Sequence, residues 1–195
     1  MTETKTETAA EPEIPEAAPR RPGDLTQRQL LERIVRVDHA GEYGARRIYE
    51  GQLAVLKRSP SRPVIQQMWE QEARHLAYFE SALPDRRVRP TLLQPLWHVA
   101  GFALGAATAA LGERAAMACT VAVEEVIDEH YAKQQAALGE EEPELAASIA
   151  EFRADELEHR DTGLAHEAEQ AAAYPLLSAV IKAGSRAAIW LSERV

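Results

Sequence analysis

Four stretches of this chain place carboxylates where an amphipathic helix keeps its core. In the first, Leu31, Ile34, Val35, Asp38, Glu42, Ala45, Tyr49, Leu53 and Leu56 recur at helical spacing and so share one face. The second face carries Ile65, Met68, Glu72, His75, Leu76, Phe79 and Leu83. A third carries Met117, Val121, Glu124, Ile127, Asp128, Tyr131, Gln135 and Leu138, and a fourth Leu145, Ile149, Phe152, Glu156, His159 and Gly163. A carboxylate on an apolar stripe is costly to bury unless it is paired or bound to a metal. One such case reads as a misjudged helix phase; four, two of them with a histidine three residues on, point to a shared partner for the carboxylates.

The pattern is also a repeat. "QEARH" (71–75) and "DELEH" (155–159) each hold a glutamate and a histidine three residues apart, Glu72 with His75 and Glu156 with His159. That spacing puts two side chains side by side on a helix, close enough to reach one ion. Glu42 precedes Glu72 by 30 residues and Glu124 precedes Glu156 by 32. Tyr49 and Gln52 follow Glu42 at seven and ten residues, as Tyr131 and Gln134 follow Glu124. Two helix hairpins related by an approximate twofold axis bring all six groups to one centre. This matches the known arrangement of the ferritin-like carboxylate proteins, one Glu from each of two helices and Glu-x-x-His from each of two others. Four carboxylates and two divalent ions balance in charge, and carboxylate with neutral imidazole suits iron or manganese. One Glu-x-x-His alone reads as a solvated helix face or a salt bridge; two copies with two lone glutamates read as a metal centre. Asp155, just before Glu156, is a candidate acceptor for a ligand histidine N–H, with a plain exposed aspartate as the other reading. His39 and His130 flank the stripes and are candidates for orienting ligands. His98 and His166 read as packing or surface residues.

The rest of the sequence supports an all-α fold. Six segments stand out, at about 25–58, 62–83, 92–111, 113–139, 143–169 and 175–194, with Pro, Gly and Ser at the joints and no long period-two run. Residues 1–24 are rich in Glu, Thr, Ala and Pro, with few large apolar groups, and are expected to be a disordered acidic tail before a single domain over 25–195. That tail lacks the basic start and apolar run of a secretory signal and is too acidic for a typical mitochondrial presequence. A net charge of −9 argues against nucleic acid as a partner. The single cysteine, Cys119, excludes an internal disulfide or a cysteine metal cage and reads as a small core residue.

Five stretches, "RIVRVDHAGEYGARRIYEGQ", "MWEQEARHLAYFE", "VRPTLLQPLWHVAGFALGAATAALG", "MACTVAVEEVIDEHY" and "FRADELEHRDTGLAHEAE", resemble the demethoxyubiquinone hydroxylase family of ubiquinone biosynthesis. The similarity runs from about residue 28 to the C-terminal "WLSERV". It implies a ferritin-like di-iron monooxygenase that hydroxylates the ring of a polyprenyl benzoquinol with O2. Carried over by position, it implies Glu42, Glu72, His75, Glu124, Glu156 and His159 as ligands of two iron ions. Glu72 and Glu156 would bridge them, and Glu42 and Glu124 would be terminal. Glu125 is an alternative to Glu124, which the stripe and the tyrosine offset favour. The family's central tyrosine matches Tyr131, preceded by His130; both are candidate catalytic residues.

A lipid-like substrate implies a membrane surface. Leu92 to Leu111, "LLQPLWHVAGFALGAATAAL", is nearly long enough to span a bilayer but contains Gln94, Pro95 and His98. It is expected to lie on the membrane or line the substrate's way in, rather than to be wholly internal. In the last segment Leu177, Val180, Ile181, Gly184, Ala188 and Leu191 share a side, and Lys182, Arg186 and Trp190 are expected at headgroup level. The alternative for that segment is a helix capping the bundle or meeting a second copy. These readings place the chain peripherally on the cytoplasmic face of a bacterial inner membrane, with the matrix side of the mitochondrial inner membrane as the second choice. They leave room for a homo-oligomer and for partners in a biosynthetic complex. The competing function is a ferritin-like iron-binding or storage protein without ring hydroxylation. A third reading, a membrane scaffold with structural ion pairs, requires no metal.

Overall fold

The computed structural model describes residues 24–139 and 141–195. The expected acidic tail lies outside the described residues, apart from Asp24. The described chain is helical, with α1 (Gln27–Val55), α2 (Arg62–Asp85), α3 (Gln94–Ala110), α4 (Glu113–Leu138), α5 (Pro143–Ala165) and α6 (Tyr174–Ser192). All six expected segments are present. A short 3₁₀ turn, Ala168–Gln170, follows α5, because Glu167 adopts a left-handed conformation that ends the helix.

Local chemistry fixes the helix ends. Thr26 caps α1 in a capping box, its hydroxyl accepting from the Gln29 amide while Gln29 Oε1 accepts from the Thr26 amide. Proline opens α2, α3, α5 and α6 in the first turn, where the missing N–H costs nothing. Gly112 takes a φ of +117° between α3 and α4, a conformation L side chains rarely adopt, and so permits the tight reversal that starts the second half.

The halves are built alike. α1 pairs with α2 and carries α3; α4 pairs with α5 and carries α6. The four helices α1, α2, α4 and α5 form a ferritin-like helical bundle, with α3 and α6 laid on it. Small residues set the close approaches. A Cβ on Gly101 of α3 would come within 2.8 Å of the Gly44 carbonyl oxygen, and one on Gly163 of α5 within 2.7 Å of Val121. Apolar clusters occupy the bundle on both sides of the midsection. One includes Phe79, Tyr131, Leu138, Leu145, Ile149 and Phe152, and the other Tyr49, Ile65, Met68, Met117 and Val121.

α4 buries more of its surface than a single stripe. Ala115 to Glu124 are all buried, since α5, α6 and α3 each lie against this helix. Gln134 is buried, while Gln135, placed on the stripe by the sequence, is only half-buried and bonded to Arg153. The α6 side expected from the sequence is divided: Ile181 faces the bundle, whereas Val180 and Leu191 are exposed. Lys182 pairs with Glu125 and Arg186 bonds Glu129 of α4 at 3.1 Å, so these two cations bind the bundle. The capping reading of α6 describes its packing; Trp190 remains exposed.

Candidate metal centre

The four bundle helices carry Glu42, Glu72, His75, Glu124, Glu156 and His159 to their common midsection. Each side chain is at most 2% exposed. They form two overlapping groups. Ligand atoms of Glu42, Glu72, His75 and Glu156 lie within 4.8 Å of one another, and so do those of Glu72, Glu124, Glu156 and His159. Glu72 and Glu156 belong to both. Glu156 stands between the two histidines, with Oε1 at 3.1 Å from His75 Nδ1 and Oε2 at 3.1 Å from His159 Nδ1. His75 Nδ1 is also 3.4 Å from Glu42, and His159 Nδ1 is 3.2 Å from Glu72. Both imidazoles thus aim Nδ1 at the carboxylates and Nε2 away from them.

The outer nitrogens have partners from the opposite hairpin. His75 Nε2 lies 3.0 Å from Asp155 Oδ2, and His159 Nε2 lies 3.1 Å from Gln71 Oε1. Such an acceptor fixes the ring orientation and leaves the inner nitrogen free to donate its lone pair. The tyrosines cross in the same way. Tyr49 of α1 donates to Glu124 of α4 at 2.8 Å, and Tyr131 of α4 donates to Glu42 of α1. Burial beside carboxylates holds both phenols well above their ordinary pKa, so they stay donors. The matched glutamines diverge: Gln52 Nε2 donates to the Ala116 carbonyl at 3.1 Å, whereas Gln134 Nε2 donates to Asp38 at 2.6 Å. His130 Nε2 is 2.8 Å from Gln134 Nε2 and 3.7 Å from Asp38.

The protonation pattern fits a crowded acidic site. Burial first, then the neighbouring carboxylates, holds Glu72 and Glu124 well above the usual range. Burial works the same way on Glu156, but hydrogen bonds with His159 and His75 outweigh it and bring it down to about 2. Burial opposes a charge on His75, yet its bonds to Glu156 and Glu42 win and push it up to about 12. The crowded carboxyl groups thus favour a positively charged partner at this site.

The donor set fits a metal pair. Both oxygens of Glu72 and Oε2 of Glu124 are buried and accept no hydrogen bond. Buried carboxylate oxygens in native proteins find partners, and carboxylate with imidazole is a ligand set for iron, manganese or zinc.

The structure separates the remaining residues singled out in the sequence. Glu125 lies outside the cluster, on Lys182. Asp155 is on His75, Tyr131 on Glu42, and His130 on the Gln134–Asp38 pair. His39 is buried but belongs to neither group. His98 Nδ1 is 2.6 Å from the Tyr43 hydroxyl. The sequence reading missed Gln71. It occupies the place in its hairpin that Asp155 occupies in the other, so the repeat itself was the signal.

The sequence profile of the family described as ubiquinone biosynthesis protein COQ7 matches residues 29–192. The chain belongs to the COQ7 family. Among its relatives, the 3-demethoxyubiquinol 3-hydroxylase of Rhodospirillum rubrum is 59% identical over 180 residues, covering 92% of this chain and 85% of the relative. The mitochondrial NADPH-dependent 3-demethoxyubiquinone 3-hydroxylase of Mus musculus is 59% identical over 175 residues, 88% of this chain and 81% of that one. The mitochondrial 5-demethoxyubiquinone hydroxylase of Saccharomyces cerevisiae is 42% identical over 210 residues, 98% and 90% respectively. The COQ7 match thus spans both hairpins, α3 and α6 together.

A cavity of about 380 Å³ lies among α1, α3, α4 and α6. Gly41, Gly44 and Ile48 line it from α1, Trp97, Gly101 and Leu104 from α3, Val123 and Ile127 from α4, and Gly184, Ala188 and Ile189 from α6. Gly41 and Val123 immediately precede Glu42 and Glu124, so the cavity abuts the backbone that presents those two glutamates. On the outer sides of the same two segments, Leu92, Leu96, Val99 and Leu111 of the α3 region and Leu176, Val180, Trp190 and Leu191 of the α6 region are exposed. Among the described residues, no helix is long and apolar enough to cross a membrane.

Proposed function

We propose that this chain is an O2-dependent di-iron monooxygenase that hydroxylates the ring of 3-demethoxyubiquinol in ubiquinone biosynthesis. The observation that carries this reading is the pair of overlapping ligand groups sharing Glu72 and Glu156, in a chain 59% identical to a 3-demethoxyubiquinol 3-hydroxylase. Glu42 and His75 would hold one iron, Glu124 and His159 the other, with Glu72 and Glu156 bridging. Two ferrous ions held by these residues would supply two electrons to O2, so that with two protons one oxygen atom would enter the ring and the other leave as water.

The residues around them place and protect that chemistry. Asp155 and Gln71 orient the two imidazoles, keeping Nδ1 inward. Tyr49 and Tyr131 hold Glu124 and Glu42 by one oxygen each, leaving the other carboxylate oxygen for an ion. Tyr131 and the adjacent His130–Gln134–Asp38 group are the candidates for proton handling. The flanking apolar clusters exclude bulk water.

The small-residue cavity suits the flat ring and the start of a polyprenyl tail, and the exposed apolar residues of α3 and α6 suit contact with lipid. The chain would thus work peripherally, at the cytoplasmic face of a bacterial inner membrane. The test is anaerobic incubation of ferrous protein with demethoxyubiquinol, then oxygen, with mass analysis. A product heavier by one oxygen atom is expected. Iron oxidation without oxygenated product would contradict the reading and favour iron storage.

A further inference from the structure

The approximate twofold axis relates the two ends of the site, and three positions break it, two of them by placing a carboxyl group at the Glu42/His75 end only. The repeat matches Asp155 with Gln71, Asp38 with Thr120, and His130 with Ile48. The Glu42/His75 end therefore has two additional carboxyl groups and an imidazole nearby, where the Glu124/His159 end has an amide, a hydroxyl and an alkyl group. We propose that the Glu42/His75 position binds its metal ion more tightly than the Glu124/His159 position, because a carboxylate backs one histidine and an amide backs the other. This inference rests on the metal-centre reading above.

The contrast is sharpest at the imidazoles. Both present Nδ1 inward, and both have an outer acceptor at almost the same distance, 3.0 Å for Asp155 and 3.1 Å for Gln71. Geometry is thus held constant while charge changes. A carboxylate acceptor polarises the N–H more strongly than an amide, makes the inner nitrogen a better donor, and adds a negative charge near the ion. Arg74 Nη2 lies 3.8 Å from Asp155, but its side chain is 69% exposed, so water screens most of its effect. Asp38, one turn before Glu42, adds a buried carboxyl group to the same end, while its counterpart Thr120 has a buried hydroxyl that makes no hydrogen bond. The crossed tyrosines, by contrast, are alike at both ends and do not discriminate. The protein would therefore load in order, first at Glu42/His75 and then at Glu124/His159. Asp155 and Gln71 act through the histidines and are positioning residues.

The test is anaerobic titration of metal-free full-length protein with cobalt(II), read by its visible ligand-field bands, with iron per chain after ferrous loading as a second measure. Wild type is expected to bind two ions in steps separated by about tenfold or more. Asp155→Asn is expected to weaken the first step by roughly 10- to 100-fold and merge the two steps. Gln71→Glu is expected to tighten the second step, a gain that misfolding cannot imitate. Two ions bound with equal affinity by wild type, or an Asp155→Asn titration identical to wild type, would overturn the inference while leaving the metal centre standing. Wild-type protein that binds no cobalt and no iron would overturn both.

Discussion

The bundle interior and the outer faces of α3 and α6 break the same rule in opposite ways. Inside, four carboxylates and two imidazoles lie where apolar residues are expected, each at most 2% exposed. Outside, Leu92 is 83% exposed, Leu111 74% and Leu176 67%. Neither arrangement stabilises the isolated chain. Buried carboxylates raise its energy, and exposed leucines forgo the roughly 1.5–3 kcal/mol that burial of each would contribute. Each region suits a bound partner, cations inside and an apolar surface outside, as the proposed function requires. The cavity among α1, α3, α4 and α6 lies between these two regions.

The interior groups carry the largest expected effects. Glu72→Ala or Glu156→Ala is expected to lower hydroxylation by at least about 100-fold while leaving helical content nearly intact, measured by product mass and circular dichroism. Normal turnover in either variant would remove the bridging assignment. Next comes the outer face. Leu96→Glu combined with Val99→Glu should reduce co-sedimentation with anionic liposomes by about tenfold or more. Stability should stay within about 0.5 kcal/mol per substitution, since these side chains face outward. The cavity sharpens the link between the regions. A Cβ on Gly44 meets nothing within 4 Å. Gly44→Leu should therefore raise thermal stability slightly, by up to about 1 kcal/mol of helix propensity. It should also cut turnover of a long-chain quinol by about tenfold through the filled cavity.

The smallest effect concerns pH. In metal-free protein, Glu72 and Glu124 have folded-state pKa values raised above their unfolded ones, as do His75 and His159. Each binds protons more tightly when folded, so its contribution is complete below the unfolded pKa and fades as pH rises towards the folded one. Glu156 acts oppositely, but its window lies below its unfolded value, towards about pH 2. Metal-free protein should thus melt a few degrees lower at about pH 8 than at about pH 5.5. Metal loading should reduce or reverse that trend, because ions replace the protons.

Much of the interior was legible in the sequence because buried charge is rare enough to stand out at helical spacing. The apolar stripe and the tyrosine offset favour Glu124 over Glu125 in the sequence; Glu124 lies in a buried ligand group, and Glu125 faces Lys182. What depends on distant helices was harder to read. Gln71 looks like any exposed polar residue until α5 brings His159 to it. Lys182 and Arg186 carry the signature of a membrane-facing edge, but Glu125 and Glu129 of α4 meet them first. α4 does not show as a central helix, since its all-round burial comes from the elements packed around it rather than from its own periodicity. The cavity was the least legible, because it is made by side chains that glycine lacks at 41, 44 and 184, on helices far apart in sequence.

On the reading proposed above, the interior carboxylates and histidines form one site for two ions. Iron bound per chain, counted after anaerobic ferrous loading and desalting, tests it most directly. Two irons are expected per wild-type chain, and one or none in Glu72→Ala. Wild-type protein retaining no more than trace iron would contradict it.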